Sequence, residues 1–344
     1  MTIFVALIAA FLAVAAVSLA ITAGINRRYP PEGRLYGTPG GRVHIAQRGP
    51  RERAAEADVV LIHGASASLG DQLVALSDVL SARYRVLAVD RPGQGWSERP
   101  GGASDASPTR QALLIAQALR QAGVERAVVV GHSFGAAVAA ALAIEHPDFV
   151  QGLVFVASAS HPWPGGVAWH YRLAAMPIAG RLFTGLMAPL IGPLALSAGI
   201  RAVFLPQTPP QDYAGRAGAA RALTPLRYLA NGQDISSLKR HVEALSRRYH
   251  EIKAPCVIVT GDADNTVWPS IHSRGLARDI EGAKLVVLEG VGHMPHHSHP
   301  DTILAAVDEI VAVLRRSISA HSRESGNPAL PITGGSSGSP LSRG

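Results

Sequence analysis

Ser133 is the residue whose surroundings most clearly suggest chemistry. It stands in the pattern Gly-x-Ser-x-Gly at residues 131–135, after a valine-rich run and before an alanine-rich stretch that reaches His146. This order is typical of a strand, a sharp turn and a helix, which together present a serine hydroxyl at the carboxyl end of a sheet. The first amides of such a helix lack partners, so the N–H of Phe134 is placed to stabilise a developing oxyanion.

A serine hydroxyl is a weak nucleophile until a base accepts its proton, so the chain must also supply a histidine and an acid that orients it. Asp264, with Asp262 as a rival, follows one apolar run, and His293 follows the next. Both loops lie at the ends of predicted strands, where ligands bind in open α/β sheets. The residues thus predict a nucleophile, an acid and a base in the order Ser133, Asp264, His293.

A second oxyanion donor is expected in the loop after the apolar run at 58–62. That loop reads His63-Gly64-Ala65-Ser66, and its flexible turn is able to direct the amide of Ala65 towards the substrate of the serine. The loop at 90–97 is rich in glycine and proline. We interpret it as a turn in which Asp90 accepts hydrogen bonds from its own backbone.

The elements that must position these loops alternate along the chain. Six short runs of valine, leucine and isoleucine are typical of strands buried on both faces, as in a parallel sheet: 58–62, 85–89, 127–130, 153–156, 256–260 and 285–288. Helical patterns separate several of them, including one from Ser107-Pro108 and one from near Pro300. Residues 34–36 and 43–46 precede the alternation as a predicted hairpin. The sequence therefore predicts an α/β fold, a mostly parallel sheet with helices on both faces.

The amino terminus carries a candidate membrane anchor. Residues 3–25 are a 23-residue run without a charged side chain, which as a helix spans about 34 Å, enough to cross a bilayer. A cleaved signal peptide is the competing interpretation, because Ser18-Leu19-Ala20 resembles a cleavage site, but no charged segment precedes the run. Arg27, Arg28 and Arg34 follow it, which favours a cytoplasmic catalytic domain, although long domains cross membranes regardless of such charges.

The alternation is interrupted between residues 161 and 248. Apolar pieces there are broken by glycine and proline, which predicts a mostly helical lid over an apolar pocket, with an outer face that is a candidate for bilayer contact. From His321 onward the chain is rich in serine, glycine, proline and arginine, which predicts disorder. We divide the chain into an anchor (1–28), a first core segment (29–160), a helical cap (161–249), a second core segment (250–316) and a disordered tail (317–344).

Composition excludes some function classes. The net charge is +7, but 29 of the 32 basic residues are scattered arginines and aromatic residues make up only 5% of the chain. A nucleic-acid binder more often carries a basic stripe interleaved with aromatics, so no nucleic-acid partner is expected. The single cysteine, Cys256, excludes an internal disulfide.

At this point the chain resembles the α/β-hydrolase fold family over about residues 35–316. Five elements carry the resemblance, in order: His63-Gly64, Asp90-Arg91-Pro92-Gly93-Gln94-Gly95, the turn at 131–135, Gly261-x-x-Asp264-x-x-Val267, and Gly292-His293. The resemblance implies Ser133 as nucleophile, His293 as general base and then acid, and Asp264 rather than Asp262 as its orienter. It also implies that the amides of Ala65 and Phe134 form the oxyanion hole and that no cofactor is required.

The expected activity is that of a serine hydrolase. With an apolar lid and an anchor, its expected substrate is a small, hydrophobic carboxylic ester cleaved through an acyl-enzyme. Acyl transfer to an alcohol is the alternative on the same residues, and an inactive membrane-tethered scaffold is an alternative of a different class. Four nearby histidines (293, 296, 297 and 299) raise a metal hypothesis, but no cysteine or carboxylate is spaced in sequence to complete a site, so no metal is expected.

Overall fold

The computed structural model describes residues 1–50 and 56–324 of the 344. Eight strands form one sheet: β1 (Arg34–Thr38), β2 (Gly41–Arg48), β3 (Asp58–Ile62), β4 (Arg85–Val89), β5 (Ala127–His132), β6 (Val150–Val156), β7 (Cys256–Gly261) and β8 (Lys284–Leu288). The α-helices are α1 (Thr2–Arg28), α2 (Leu69–Leu80), α3 (Pro108–Gln121), α4 (Phe134–Glu145), α5 (Trp169–Ala174), α6 (Ala179–Leu186), α7 (Ala188–Phe204), α8 (Tyr213–Arg216), α9 (Pro225–Ser246), α10 (Ser273–Asp279), α11 (Pro295–Ser298) and α12 (Pro300–Glu324).

The order of the strands explains where a site can form. The sheet runs β1-β2-β4-β3-β5-β6-β7-β8, with β3 to β8 parallel and β1 and β2 antiparallel to their neighbours. The chain therefore leaves β3 in one direction to form β4 and later returns to its other side as β5. The loops after β3 and β5 diverge at this switch point, which opens a crevice at the carboxyl edge of the sheet.

The central strands are buried on both faces, which confirms the predicted α/β architecture. All residues of β4 and β5 are buried, and their side chains contribute to two apolar clusters. One cluster includes side chains of α3 and α4, and the other includes side chains of α2 and α12. The continuous runs of valine and leucine follow from this double burial, because neither face of the strand meets water.

Helices α5 to α9 lie between β6 and β7 in the chain, and α9 contacts α4, the helix that follows β5. Helices α6 and α7 meet at a bend of 70°. Helix α1 is the one helix in residues 1–50 and 56–324 that is long and apolar enough by itself to cross a membrane, and its place near the amino terminus also suits a signal sequence. It packs against α6 and α7, where Ser18 Oγ donates a hydrogen bond to the carbonyl of Gly185.

The last helix extends further than the sequence division suggests. The described part of helix α12 reaches Glu324, eight residues beyond Arg316. Residues 317–324 contain neither glycine nor proline, the first of which follow at positions 326 and 328, so nothing in that stretch interrupts a helix. The remainder of the predicted tail, 325–344, lies outside the described residues.

Candidate active site

Ser133 lies at the tip of the turn between β5 and α4. Its backbone has φ 52° and ψ −117°, a left-handed conformation that is strained for a residue with a side chain. Its N–H donates to the carbonyl of Val156 at 2.9 Å, which holds the turn in place. Glycine is required on both sides: a Cβ on Gly131 would lie 2.7 Å from the oxygen of Gly135, and a Cβ on Gly135 would lie 2.2 Å from the oxygen of Ile62.

The three side chains predicted at the strand ends form a continuous chain of hydrogen bonds. Ser133 Oγ lies 3.1 Å from His293 Nε2, and His293 Nδ1 lies 2.8 Å from Asp264 Oδ2. All three residues are buried. Since the carboxylate accepts from Nδ1, that nitrogen carries the ring proton and Nε2 is free to accept the serine proton.

The structure places the two candidate acids differently. Asp264 is buried, and its second oxygen accepts the backbone N–H groups of Thr266 at 2.8 Å and Val267 at 2.9 Å. These bonds fix the carboxylate that faces His293. Asp262 is exposed and accepts the N–H of Gly290 at 2.7 Å, which ties the loops after β7 and β8 together. Asp264 therefore contacts the histidine, and Asp262 supports the loop around it.

The two residues whose amides are the predicted oxyanion donors line the same cavity as Ser133. Ala65 and Phe134 line one cavity with Ser133 and His293, and among the described residues neither of the two backbone N–H groups donates a hydrogen bond. The next residue, Ser66, has φ 55° and its N–H donates to Asn231 Oδ1 at 2.7 Å. Asn231 Nδ2 donates in turn to Ser66 Oγ at 2.8 Å. A residue of α9 therefore fixes the loop that carries the Ala65 amide.

Arg91 also contacts the loop that carries the Ala65 amide. Its buried guanidinium donates to the carbonyls of His63 and Gly64, each at 3.1 Å, and lies 4.2 Å from the ring centre of Phe134. The backbone N–H of Arg91 donates to His63 Nε2 at 3.0 Å, so Nδ1 of that ring carries the proton and donates to the Gly64 carbonyl. Burial, with the charge of Arg91 beside it, lowers the pKa of His63 to about 4.

A cavity of about 890 Å³ lies between these loops and the cap helices. Ser133 and His293 lie at its floor, and its upper wall comes mainly from α5, α7 and α9, with apolar side chains such as Leu196, Ile200 and Ile235. This volume is within the usual range for small-molecule sites, and the predominance of apolar side chains favours a hydrophobic ligand.

The sequence model of the alpha/beta hydrolase family matches residues 59–306. The chain belongs to this family. An uncharacterised protein of Mycobacterium tuberculosis is 27% identical over 288 residues, which cover 78% of this chain and 79% of that protein. "Putative carbamate hydrolase RutD" of Escherichia coli O157:H7 is 31% identical over 252 residues, 72% of this chain and 88% of the relative. The crystal structure of an alpha/beta hydrolase fold protein from Burkholderia ambifaria is 26% identical with a TM-score of 0.66, covering 80% of this chain and 97% of that one.

This α/β hydrolase also contains a cluster of Asp71, His296 and His297, whose proximity the sequence does not predict. The carboxylate of Asp71, in α2, accepts hydrogen bonds from His296 Nε2 at 3.1 Å and from His297 Nε2 at 2.9 Å. It also accepts hydrogen bonds from the hydroxyl of Tyr213 at 2.8 Å and from the side-chain amide of Gln72 at 2.9 Å. The expectation that no carboxylate complements these histidines is wrong. Asp71 lies 225 residues before His296 in the chain, but in the folded structure it contacts both histidines. The three ligand-type residues have a spacing that could hold a metal ion, but four proton donors already satisfy the carboxylate.

The protonation of this cluster follows from its burial. Burial favours a neutral Asp71, but the adjacent His296 and His297 more than offset it and hold the pKa of the carboxyl well below its usual range. Burial lowers the pKa of His296 to about 4, although Asp71 acts in the opposite direction. The His132 ring lies between His296 and His293, 4.2 and 4.9 Å from their ring centres. The cluster therefore packs against His293 through the ring of His132.

Asp234 of α9 accepts a 2.8 Å hydrogen bond from the guanidinium of Arg91. Asn231, Asp234 and Asp71 are the site residues that sequence reasoning missed. The first two lie in a helix whose pattern carries no motif, and Asp71 looks like an ordinary acidic residue in the first turn of α2. Arg91 has a signal in the motif that begins at Asp90, which is one of the five elements of the family resemblance, but the sequence indicates only a turn there and no role for Arg91. In the structure, Asp90 does accept the N–H of Trp96 at 2.8 Å, as in such a turn, while Arg91 supports the loop after β3.

Proposed function

We propose that this hydrolase cleaves the carboxylic ester, or a related acyl bond, of a hydrophobic small molecule through a covalent acyl-enzyme on Ser133. The observation that carries the proposal is the chain of hydrogen bonds from Asp264 through His293 to Ser133, which ends at an apolar cavity. Nucleophile, base and orienting acid are all within hydrogen-bond reach, which is the arrangement that activates a serine.

In the first half of the reaction, Ser133 Oγ attacks the carbonyl carbon while His293 Nε2 accepts its proton. Negative charge develops on the carbonyl oxygen, and the free N–H groups of Ala65 and Phe134 are the donors that stabilise it. The imidazolium that forms is stabilised by Asp264, whose position two backbone amides maintain. His293 then protonates the leaving alcohol, and the acyl group remains on Ser133.

In the second half, water takes the place of the alcohol. His293 accepts a proton from the water as it attacks the acyl carbon, and the same two amides stabilise the second oxyanion. Return of the proton to Ser133 Oγ releases the carboxylic acid. None of these steps needs a group other than the residues named and water.

The surroundings of the site support a hydrophobic substrate and a membrane location. The cap residues 161–249 enclose an apolar cavity over Ser133, so an acyl chain gains free energy by leaving water. In this proposal α1 is a retained anchor, residues 29–160 and 250–316 form the hydrolase core, and the charge that follows α1 places this core on the cytoplasmic side. Membrane fractionation of the full chain, with protease protection of the core, tests this arrangement.

A fluorophosphonate probe provides the direct test of the serine. Such probes react with activated serines, so the detergent-purified protein should be labelled, and Ser133→Ala should abolish both labelling and ester hydrolysis, by about 10⁶-fold if the protease precedent holds. Ser246→Ala, which removes a serine at the end of α9, is the matched control and should keep both. Ester hydrolysis retained by Ser133→Ala would contradict the proposal, as would a folded wild-type protein that the probe does not label.

A further inference from the structure

An exposed apolar surface extends from α1 onto the bent pair α6–α7. We call it the cap face and define it by Ile178, Leu182, Ile191 and Leu194, which have exposed fractions of 76%, 52%, 50% and 83%. Single exposed apolar residues are common on soluble proteins, but large apolar side chains exposed together on two contacting helices favour an interaction site. The first half of α1, residues 2–13, is exposed along its entire length, and α1 contacts both α6 and α7.

The chemistry of the cap face favours lipid over protein. Residues 182–200 form a 19-residue stretch without a charged side chain, flanked by the exposed Arg181 and Arg201. Protein interfaces of ordinary size carry a polar rim and direct hydrogen bonds within such a length. An uncharged segment between two arginines suits hydrocarbon instead, because long arginine side chains reach back to the headgroup region.

The contacts of α1 indicate how deep the bend between α6 and α7 would lie in a bilayer that contains α1. Its sheltered positions recur at helical spacing at Val14, Ser18, Ile21 and Ile25, so this stripe faces the cap while residues 2–13 extend beyond it. Ser18 bonds to the carbonyl of Gly185, beside the bend between α6 and α7. At 1.5 Å per residue, Ser18 lies about 10 Å inside the end of the uncharged run at Ile25. A bilayer that surrounds α1 must therefore also reach the bend.

We propose that the bend between α6 and α7 inserts into the hydrocarbon of a lipid bilayer beside α1, as a re-entrant segment that enters and leaves on one side. The 70° bend supports this topology, because it turns α7 away from the direction of α6 before the chain crosses. The bend also keeps the irregular backbone against protein, since α1 packs on it and Ser18 occupies the Gly185 carbonyl. Irregular backbone at membrane depth is tolerated where it is covered in this way.

The insertion defines the source of the substrate. Helix α7 presents Leu194 to the outside and, on its other side, Leu196, Ile200 and Val203 to the cavity over Ser133. One helix thus separates the bilayer from the site, and its residues Gly192, Ala195 and Gly199 at the cavity carry little or no side chain. This step rests on the proposed function: the substrate is an acyl ester that dissolves in the bilayer and reaches Ser133 without passing through bulk water.

Site-specific fluorescence tests the insertion without relying on activity. The full chain is reconstituted into phosphatidylcholine–phosphatidylglycerol vesicles with an environment-sensitive NBD label at Leu194→Cys, Leu12→Cys or Lys284→Cys. Leu12 reports on α1, and Lys284 lies at the amino end of β8, on the edge of the sheet away from the cap. The native Cys256 is buried, so the unsubstituted chain measures background labelling.

We expect the labels at Leu194 and Leu12 to be quenched by doxyl groups on lipid acyl chains and protected from aqueous iodide, and the label at Lys284 to show the reverse. A Leu194 label that iodide quenches, with the Leu12 label in lipid, would place the cap outside the bilayer and overturn the proposal. Iodide quenching at both positions would also overturn it, because α1 itself would then lie outside the hydrocarbon.

A kinetic comparison tests the route of the substrate. Leu194→Glu should lower hydrolysis of a long-chain ester carried in vesicles by at least about tenfold, while hydrolysis of a short water-soluble ester and fluorophosphonate labelling stay unchanged; Lys284→Glu should alter none of these. Equal rates on the vesicle-borne ester for the Leu194→Glu variant and the wild type would exclude the lipid route. A wild-type protein that the fluorophosphonate probe does not label would instead refute the proposed function. The result of the NBD fluorescence experiment would still decide the insertion.

Discussion

The guanidinium of Arg91 donates a 2.8 Å hydrogen bond to the carboxylate of Asp234, and neither side chain is exposed. Arg91 belongs to the loop after β4 and Asp234 to α9, so this pair joins the sheet to the cap. Arg99 donates to the other oxygen of Asp234 at 2.6 Å. Since Arg91 also holds the carbonyls of His63 and Gly64, the cap and the loop of the proposed oxyanion hole share one buried ion pair.

Asp234→Asn tests this coupling. The substitution leaves Arg91 buried without its counter-charge, and breaking a buried pair in this way typically costs about 3–5 kcal/mol of unfolding free energy. Urea denaturation measures the loss. Glu309→Gln removes the exposed partner of Lys284 and should cost no more than about 1 kcal/mol. Similar small losses in the two variants would mean that Asp234 does not compensate Arg91.

Asp264→Asn distinguishes the two aspartates after β7. Asparagine cannot stabilise the imidazolium of His293, so kcat should fall by about 10⁴-fold with the fold intact, if the analogy with the protease triad holds. Asp262→Asn keeps an oxygen for the N–H of Gly290 and should lower kcat by less than about tenfold. Steady-state ester hydrolysis by both variants measures the difference. A nearly inactive Asp262 variant beside an active Asp264 variant would reverse the assignment.

The sequence predicted the parts of the site that depend on local chain geometry. Ser133, Asp264 and His293 each follow an apolar strand directly, and the carboxyl ends of parallel strands meet at one edge of a sheet, so their proximity follows from the order of elements. The need for glycine at position 131 is also set locally, because a Cβ there would lie 2.7 Å from the carbonyl oxygen of Gly135 in the same turn, whereas glycine at 135 is required by the approach of β3.

The contacts that support the site depend on tertiary packing and could not be predicted. Asn231 reaches Ser66 across 165 residues, and Asp234 reaches Arg91 across 143. Both lie on α9, on the same side as the buried Leu238, Val242 and Leu245. The helical spacing of these apolar residues predicts which face of α9 is buried, but not which polar side chains of other elements that face meets. Asp71 meets His296 for the same reason, through the packing of α2 against α11.

Stability should fall as the pH is lowered from about 6.5 to about 4. His63 and His296 have pKa values of about 4 in the folded chain, against about 6.5 when unfolded, so the unfolded state binds more protons in this interval. Each group removes up to about 3 kcal/mol across the interval. Protonation of His63 Nε2 would also remove the acceptor of the Arg91 N–H. Urea midpoints at several pH values measure the slope.

His63→Gln provides the matched comparison for this pH dependence. Its side-chain oxygen keeps an acceptor for the Arg91 N–H but does not titrate, so the loss of stability between pH 6.5 and 4 should shrink by the share of one histidine. A slope identical to that of the wild-type chain would show that His63 does not titrate on unfolding, and a stability that rises towards acid would contradict the lowered pKa values of both residues.

Gly135→Ala tests the close approach of the elbow to β3. The added methyl group would lie 2.2 Å from the carbonyl oxygen of Ile62 and 2.7 Å from that of His63, and because both are backbone atoms, neither is able to rotate away. Such overpacking costs about 1–3 kcal/mol or more, and relief by separating α4 from β3 would move Phe134 away from the loop that carries Ala65. Fluorophosphonate labelling should therefore slow as well.

Gly199→Ala is the control, because its Cβ would meet no atom within 4 Å and alanine favours a helix interior by about 1 kcal/mol. If Gly135→Ala retained the wild-type stability and labelling rate, the contact between the elbow and β3 would not be the tight one that the site requires.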